Sequence, residues 1–430
     1  MKLCYILLLF LILIEGIPAS SGFEPTWTYP IKGSTLGTPA ISPDGSEIIV
    51  PAGKILVFSK NGSLSQAEPY GTAVVMTPDG ENLVSSFASI VYFFKISSEG
   101  NSPARVLKKM WQYEFPDQVR FIAISDDGTT ILVATSSMGI YTIDTTTREM
   151  ASNDEEYNAL VSFFGDDDMI LGVNGNEIHI YTSDLAPIGA YGISPLAVPS
   201  RMTLLQNGEY VIFNDGQKIH CIDNTDNSTE LWSRTVPGSV SVITGTTGNY
   251  PILIGTDTGY IDTFSLVGDR SWNYSANPGR QQSSGVTGIA TDGKIIAAGT
   301  FNGKIVWLDM NGTILGSYTS GDRIRHIAIS PDESLTVAAG DEAIYVFSSS
   351  LLQFPAPASQ SGTPGFSSEN ETVTLSSQST EKPQNPKAPE APMEYAVIKS
   401  PTKSPLGEFV SYFALVFALI IFLRRDSRNR

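Results

Sequence analysis

The sequence contains very little cysteine and histidine. Only two cysteines and three histidines occur among 430 residues. Cys4 lies in a segment that we expect to be removed, so Cys221 would be alone and no intrachain disulfide could form. The scarcity of histidine disfavours catalysis that relies on imidazole. Stability must therefore come from packing.

Basic residues are also scarce, because 27 Lys and Arg are set against 44 Asp and Glu, a formal net charge of −17. Nucleic acids are bound by basic patches, so this balance argues against a nucleic-acid partner. The acidic clusters at 154–156 and 166–168 lack the D-x-D-x-D-G spacing of a calcium loop. We read them as solvated loops and predict no metal site.

Apolar runs mark both ends of the chain. Residues 1–21 combine Lys2, an apolar run and small residues, as in a secretory signal peptide. Residues 409–423 are apolar and are followed by the basic tail 424–430. As a helix they span only ~22 Å of a ~30 Å core, a gap that snorkelling arginines and local thinning can close. We expect a single-pass cell-membrane protein with its main domain outside.

The composition changes sharply after residue 354. Residues 355–408 are rich in Pro, Ser, Thr and Glu and have few large apolar side chains. Such a segment cannot bury enough apolar surface to fold, and we predict a disordered stalk. Residues 22–354 remain as the folded domain.

Within that domain a short pattern recurs eight times, an apolar strand followed by a turn built on Asp-Gly or a relative. The turns begin at residues 43, 78, 126, 165, 206, 246, 291 and 331, with spacings of 35, 48, 39, 41, 40, 45 and 40. A period near 40 with short strands is typical of a β-propeller. We predict an all-β, eight-bladed propeller, with seven blades as the alternative if the irregular copy at 240–265 is distorted.

The two ends of the domain complete each other. Trp-x-Tyr motifs occur on predicted fourth strands, such as 111–113 and 272–274, and one more stands before the first blade at 27–29. The last blade ends after its third strand, at Phe347. We therefore predict that residues 26–31 form the fourth strand of the last blade and close the ring, which removes the open sheet edge.

The sequence resembles known propeller families. The phrases Ile-Ala-Ile-Ser-Pro-Asp at 327–332 and Ile-Tyr-Thr-Ile-Asp at 140–144 are similar to those of WD-repeat, YVTN-type and quinoprotein-type propellers. The Gly-His and Trp-Asp signatures of WD repeats are missing, and the Trp-x-Tyr motif leans towards the quinoprotein-like group, which includes non-enzymatic scaffolds. For a quinoprotein dehydrogenase the resemblance implies a vicinal disulfide, which this chain lacks. The tail from Pro405 resembles C-terminal sorting signals of prokaryotic and archaeal surface proteins.

Arginines stand at the entry of three first strands: Arg120, Arg201 and Arg325. We place them in equivalent positions of three blades, around the mouth of the central channel, because the first strand of a blade is innermost. Three guanidinium groups there would form a site for an anion or carboxylate. The alternative is that each arginine pairs with an acidic neighbour on its own blade.

The histidines fit the repeat as sheet residues. His179 and His220 fall in one column of the third strand, and His326 falls where Phe121 stands in another first strand. We therefore predict no catalytic residues.

Five Asn-x-Ser/Thr sequons are candidates for N-glycosylation: Asn61, Asn227, Asn273, Asn311 and Asn370.

A binding function is the expectation that follows. We predict a non-enzymatic propeller without a cofactor that binds a protein or glycan of the cell envelope or exterior, because a rigid ring presents many independent loops. Two alternatives stay open: a quinoprotein-like cofactor-binding enzyme and a purely structural envelope protein.

Overall fold

The computed structural model describes residues 23–352, except 32, 34–36, 99–104, 137–138, 154–158, 165–168, 175–176, 194–200, 206–207, 225–228, 247–250 and 277–284. Its strands form eight four-stranded antiparallel sheets, so the eight-bladed propeller is confirmed. The 240–265 copy belongs to a complete blade, and the seven-bladed alternative is wrong. The predicted leader, stalk and C-terminal helix lie outside the described residues. Among the residues described, no helix has the length and apolar character to cross a membrane.

The first four blades follow one another along the chain, and each contains four consecutive strands. Blade 1 contains β2 (Ala40–Ile41), β3 (Glu47–Pro51), β4 (Gly53–Ser59) and β5 (Leu64–Gly71); blade 2 contains β6 (Ala73–Met76), β7 (Asn82–Phe87), β8 (Ile90–Ser98) and β9 (Arg105–Glu114); blade 3 contains β10 (Val119–Ile124), β11 (Thr130–Thr135), β12 (Ile140–Asp144) and β13 (Met150–Asn153); blade 4 contains β14 (Ala159–Phe164), β15 (Met169–Asn174), β16 (Glu177–Tyr181) and β17 (Pro187–Gly192).

The last four blades continue the pattern, except that blade 8 takes its fourth strand from the N-terminal part of the domain. Blade 5 contains β18 (Met202–Leu205), β19 (Tyr210–Asp215), β20 (Lys218–Asp223) and β21 (Thr229–Thr235); blade 6 contains β22 (Val240–Gly245), β23 (Ile252–Thr256), β24 (Tyr260–Phe264) and β25 (Arg270–Ser275); blade 7 contains β26 (Val286–Thr291), β27 (Ile295–Thr300), β28 (Lys304–Asp309) and β29 (Ile314–Thr319); blade 8 contains β30 (Ile324–Ile329), β31 (Leu335–Gly340), β32 (Ala343–Ser348) and β1 (Trp27–Pro30), and a 3-10 turn follows at Ser349–Leu351.

The first strands of neighbouring blades contact one another and are innermost, including β30 of blade 8 with β2 of blade 1. Because the strands alternate in direction, the first and third strands begin at the same end of the ring. We call that end the top face. The opposite end, the bottom face, carries the turns between first and second strands and between third and fourth strands.

Each interface between successive blades contains its own hydrophobic cluster, eight in all among the described residues. The second and third strands are apolar on both faces because each blade is sandwiched between two others. At the closure, Ile48 and Phe58 of blade 1 pack against Val337 and Val346 of blade 8. The closing interface is therefore built like the others.

The recurrent aspartate organises the bottom turn between first and second strands. In blade 1 the Asp44 carboxylate accepts hydrogen bonds from Ser42 Oγ at 2.7 Å and from the Ser46 amide at 3.1 Å. These bonds, led by that of Ser42, lower the pKa of Asp44 to about 2. Ser42 Oγ in turn accepts the Glu47 amide at 2.9 Å. Blades 3 and 8 repeat this arrangement around Asp127 and Asp332, so the repeated aspartate is a turn-forming residue.

Tryptophans on fourth strands connect successive blades. Each donates its indole N–H to a carbonyl in the bottom turn of the next blade: Trp27 to Lys60 at 2.9 Å, Trp111 to Thr145 at 3.3 Å, Trp232 to Leu266 at 2.6 Å and Trp272 to Met310 at 3.0 Å. A Cβ on Gly62 would lie 2.8 Å from the Trp27 ring. Glycine in that turn is therefore required for the indole to seat.

The predicted ring closure is confirmed. Strand β1 pairs antiparallel with β32, with Trp27 opposite Val346 and Pro30 opposite Ala343. Thr26 adds bonds to the same strand, from its amide to the Val346 carbonyl and from the Ser348 amide to its hydroxyl. Phe23 packs 4.6 Å from the Trp307 ring. The chain therefore closes the ring without leaving the edge of β32 unpaired.

We expect Trp27→Ala to lower the free energy of unfolding by about 3 kcal/mol, the usual order for truncating a packed tryptophan. Chemical denaturation measures this. Trp272→Ala removes the same contact between blades 6 and 7 and is the matched control. Amide hydrogen exchange in β1 and β32 should accelerate in Trp27→Ala only. Equal acceleration in both variants would show that Trp27 does not fasten the closure.

Replacement of Glu333 by glycine should stabilise the propeller. Glu333 adopts φ of 60°, where Gly45, Gly80 and Gly128 occupy the same turn of other blades at 64° to 72°. A side chain in this left-handed region costs roughly 1 kcal/mol, and the exposed Lys294–Glu333 ion pair contributes little. Glu333→Gly should therefore raise the thermal midpoint. The reverse change, Gly128→Glu, should lower it, because its Cβ would lie 2.6 Å from Asn82 Nδ2. A lowered midpoint for Glu333→Gly would contradict this.

Candidate functional site

The junction of blades 7 and 8 carries a group of charged and aromatic side chains on the top face. Phe301 lies in the turn between β27 and β28, Arg323 directly precedes β30, Arg325 lies in β30, and Asp341 lies in the turn between β31 and β32. We call these four residues the top-face cluster. Three separate loops and one inner strand bring them together, at the entry of the central channel.

The cluster is compact and open to solvent. The guanidinium carbon of Arg323 lies 3.7 Å from the centroid of the Phe301 ring, close enough for a cation–π contact. Arg323 Nε lies 3.7 Å from Asp341 Oδ2, and Arg325 contacts Oδ1 of the same carboxylate. The side chains of Arg323 and Arg325 are 38% and 39% exposed, and Phe301 is 39% exposed.

Asp322 holds the loops beneath the cluster. Its buried carboxylate accepts three consecutive backbone amides of the β31–β32 turn, those of Asp341, Glu342 and Ala343, at 3.0–3.1 Å. Burial of the Tyr345 side chain, followed by the charge of Asp322, raises the pKa of Tyr345 to about 12. The turn that bears Asp341 is thus fixed to the loop that bears Arg323, and the cluster is held in place before any ligand arrives.

The arrangement can recognise an acidic group beside an apolar one. Two guanidinium groups share one carboxylate, which leaves one positive charge in excess and N–H donors directed to solvent. The exposed Phe301 ring offers apolar contact next to them. Arginine and aromatic residues are enriched at protein–protein interfaces and their energetic centres, so the cluster has the composition of such a centre.

The three sequence-predicted arginines are not all equivalent. Arg120 and Arg325 are, because each sits in a β-bulge between the first two paired residues of its strand. Arg201 lies one residue further along: it precedes Met202, which pairs with Phe213 as Ile122 pairs with Val133. The predicted equivalence of Arg201 is therefore wrong, because Arg201 lies seven residues before Gly208 of its turn, whereas Arg120 lies eight residues before Gly128.

The structure also separates these arginines around the ring. They belong to blades 3, 5 and 8, so at least one complete blade lies between any two. Arg325 pairs with Asp341 of its own blade, and Arg201 Nε donates to the Ser241 carbonyl at 2.7 Å. Arg120 is exposed and has no ion pair within the described part of the chain. Binding of an anion by Arg120, Arg201 and Arg325 stays a prediction.

The histidines occupy sheet positions. His179 on β16 contacts Glu177 Oε2 at 3.1 Å, His220 on β20 stacks on Phe213 at 4.7 Å, and His326 on β30 approaches Thr38 Oγ1 at 3.4 Å. Burial, followed by the charge of Arg325, lowers the pKa of His326 to about 4. Among the described residues, no group of three or more His, Cys, Asp or Glu could hold a metal ion.

Three sequons fall within the described residues. Asn61 and Asn311 are exposed in equivalent bottom turns, between the third and fourth strands of blades 1 and 7. Asn273 is exposed on β25. At the equivalent turn of blade 6, Val267 is 71% exposed, so this position projects into solvent. Asn227 and Asn370 lie outside the described residues. Glycosylation of the five stays a prediction.

Sequence reasoning missed Phe301, Arg323 and Asp341. None belongs to a repeated motif, and their proximity arises from three loops of two blades. A usable signal existed, however, because Phe301 interrupts the polar turn Thr300–Gly303 where an apolar residue has no local packing role. An exposed aromatic in a propeller turn can thus be picked out from sequence.

His326 should make the fold sensitive to acid. The unfolded chain takes up a proton near pH 6.5, whereas folded His326 resists protonation down to about pH 4. The free energy of unfolding should therefore fall by up to about 3 kcal/mol between pH 7 and pH 4. His326→Phe, which installs the residue found at Phe121, should remove that part of the fall. Equal pH dependence of variant and parent in denaturant titrations would refute this.

No protein-family model matches the sequence, and no curated protein matches it. Solved structures do resemble it. Sqt1 from Saccharomyces cerevisiae aligns at 12% identity over 76% of this chain and 99% of its own, with a TM-score of 0.63. Chaetomium thermophilum Sqt1 bound to the N-terminus of ribosomal protein L10 aligns at 13% identity over 74% and 97%, with a TM-score of 0.63.

The C-terminal WD40 domain of Sif2 is a third similar structure, at 13% identity over 76% of this chain and 99% of its own, with a TM-score of 0.61. Each likeness covers nearly the whole of the other propeller. At these identities it concerns the fold alone. The chain therefore has a WD40-like, eight-bladed β-propeller fold.

Proposed function

We propose that this chain is a protein-binding propeller that works at the cell surface, and that the top-face cluster receives its partner. The partner presents a carboxylate next to an apolar side chain. The observation that carries this proposal is the junction of blades 7 and 8, where Arg323 lies over the exposed Phe301 ring and shares Asp341 with Arg325.

The physical case rests on preorganisation. Three backbone bonds to Asp322 fix the turn that bears Asp341, so little conformational entropy would be lost when a partner binds. An incoming carboxylate would find two guanidinium groups that a single resident carboxylate leaves incompletely satisfied. Such sites, with an aromatic and an arginine together, contribute most of the binding energy in many interfaces.

Two further points support the proposal. The similar propeller of Chaetomium thermophilum Sqt1 has been solved with the N-terminus of a ribosomal protein bound, and we propose that this chain likewise receives an extended segment. The surface location rests on sequence: the signal-like residues 1–21 and the apolar residues 409–423 would place the propeller outside a membrane. Its partner would then be a protein of the envelope or exterior.

The test is a binding measurement on the full-length chain. Proteins that cross-link to it at the cell surface are identified, and the dissociation constant of each purified candidate is then measured. The double substitution Phe301→Ala with Arg323→Ala should raise that constant at least tenfold, equivalent to about 1.4 kcal/mol. Val267→Ala, on an exposed bottom turn, is the matched control and should change it less than twofold.

Two results would contradict the proposal. One is a candidate that binds the double variant as tightly as the parent, and the other is a loss that Val267→Ala reproduces. A second variant, Arg120→Ala with Arg201→Ala, tests the wider mouth. If it weakens binding as much as the cluster variant, the contact extends around the channel instead of centring on blades 7 and 8.

A further inference from the structure

Blade 2 has a longer outer hairpin than the other blades. Strand β8 has nine residues and β9 has ten, whereas the third strands of the other blades have five to seven and their fourth strands four to eight. In blades 3, 5 and 7 the third strand ends at Asp144, Asp223 and Asp309. In blade 2 the corresponding residue is Lys95, and the strand continues to Ser98. The bottom end of this hairpin therefore projects beyond the turns of those blades.

This extension is held firmly. Ile96 and Leu107 are buried on one of its faces. The side chain of Gln66, from blade 1, bonds both the amide and the carbonyl of Leu107, at 2.9 and 3.0 Å. Arg105 Nη2 donates to the Gly80 carbonyl at 2.5 Å. The extension is thus an ordered part of the propeller, and its backbone edge at Leu107 is already occupied.

The extension concentrates positive charge on an acidic protein. Lys95 and Lys108 are paired directly opposite each other across β8 and β9, an arrangement that disfavours the sheet by like-charge repulsion. Both are exposed, and neither has a carboxylate within 4 Å among the described residues. Arg105 is partly compensated, since its charge opposes the burial that raises the pKa of Glu47.

A groove lies among these side chains. Its volume is about 470 Å³, and it is lined by Lys95, Lys108, Arg105, Ser97 and Ser98, with Glu81 as the one acidic group in the lining. Cavities of this size suit a small ligand or a short stretch of polymer. We call this groove the blade-2 groove. It lies at the bottom rim, at the opposite end of the strands from the top-face cluster.

We propose that the blade-2 groove binds an acidic, extended segment of a partner polypeptide. The charge of the lysine pair and the size of the groove carry the choice of ligand. Lys95 and Lys108 lie about 5 Å apart across the pair, so one carboxylate suits both ammonium groups. Arg105 is three residues from Lys108 along β9, so its side chain lies on the opposite face of the hairpin, with Ile96 and Leu107. A single small anion would fill only part of a groove of about 470 Å³, whereas an extended acidic segment can place a carboxylate between the lysines and continue along the groove.

Binding of such a segment would also stabilise the lysine pair. Without a ligand the two ammonium groups repel each other, and a bound carboxylate between them would remove that repulsion. The hydroxyl of Ser97, two residues from Lys95 and on the same face of β8, can donate to the same segment. This inference is independent of the proposed function of the top-face cluster, because it concerns other residues at the other end of the blades.

The test uses the full-length chain and a fluorescent decaglutamate peptide, with binding followed by anisotropy at low ionic strength. The double variant Lys95→Glu with Lys108→Glu should weaken binding at least tenfold. The matched control, Lys54→Glu with Lys218→Glu, makes the same change in net charge at exposed third-strand lysines of blades 1 and 5 and should weaken it less than threefold. Affinity of the parent chain should fall steeply with added salt.

Absence of measurable peptide binding to the parent would overturn the proposal, as would an equal loss in the two variants. A sulfated polysaccharide is measured in parallel. If it binds the groove tenfold more tightly than the peptide, the ligand class is a glycan and the polypeptide assignment is wrong. The milder variant Lys95→Ala with Lys108→Ala guards against misfolding, and it should weaken peptide binding at least fivefold while keeping the parent's thermal midpoint. An unchanged affinity in that variant would also overturn the proposal.

Discussion

The pairing of β1 with β32 is the constraint on which the rest of the structure depends. Each blade buries both faces of its middle strands against its neighbours, so no blade is complete until the ring is closed. The hydrogen bonds from β1 satisfy the edge of β32, and the Trp27 indole then reaches the Lys60 carbonyl in blade 1. One short strand thus completes a sheet and connects the first blade to the last. Without it, β32 would be an open edge able to pair with another chain.

The same tryptophan contact recurs inside the ring, which explains how the closure can rest on only four strand residues. Trp232 and Trp272 dock on the next blade as Trp27 does. The interface between blades 8 and 1 is therefore an ordinary one, and the break in the chain lies inside blade 8, between β32 and β1. Because successive blades are otherwise joined along the chain, the two ends of the domain need to supply only this one strand to fix the whole ring.

The repeats made the fold predictable from sequence, since the Asp-Gly turn depends on local chemistry. The Asp44 carboxylate bonds Ser42 and Ser46, which lie two residues away on either side, so the turn can recur along the chain whatever the neighbouring blades contain. The predicted equivalence of Arg201 failed for a different reason, because Arg201 lies one residue nearer to its turn glycine, Gly208, than Arg120 lies to Gly128. The proximity within the top-face cluster could not be predicted, because Phe301 and Arg323 lie in separate loops of two successive blades and meet only when those blades pack.

The two cationic sites differ in how the fold tolerates them. At the top face, Asp341 offsets one of the two arginine charges, and the selectivity of that site also depends on the exposed Phe301 ring. In the blade-2 groove, Lys95 and Lys108 face each other, and neither has a carboxylate within 4 Å in the part of the chain that the structure describes. Fold stability alone would not favour that pair, and the ordered hairpin that carries it extends beyond the turns of the neighbouring blades. A charge arrangement that costs stability, on an element the ring does not require for closure, is better explained by an anionic ligand than by packing.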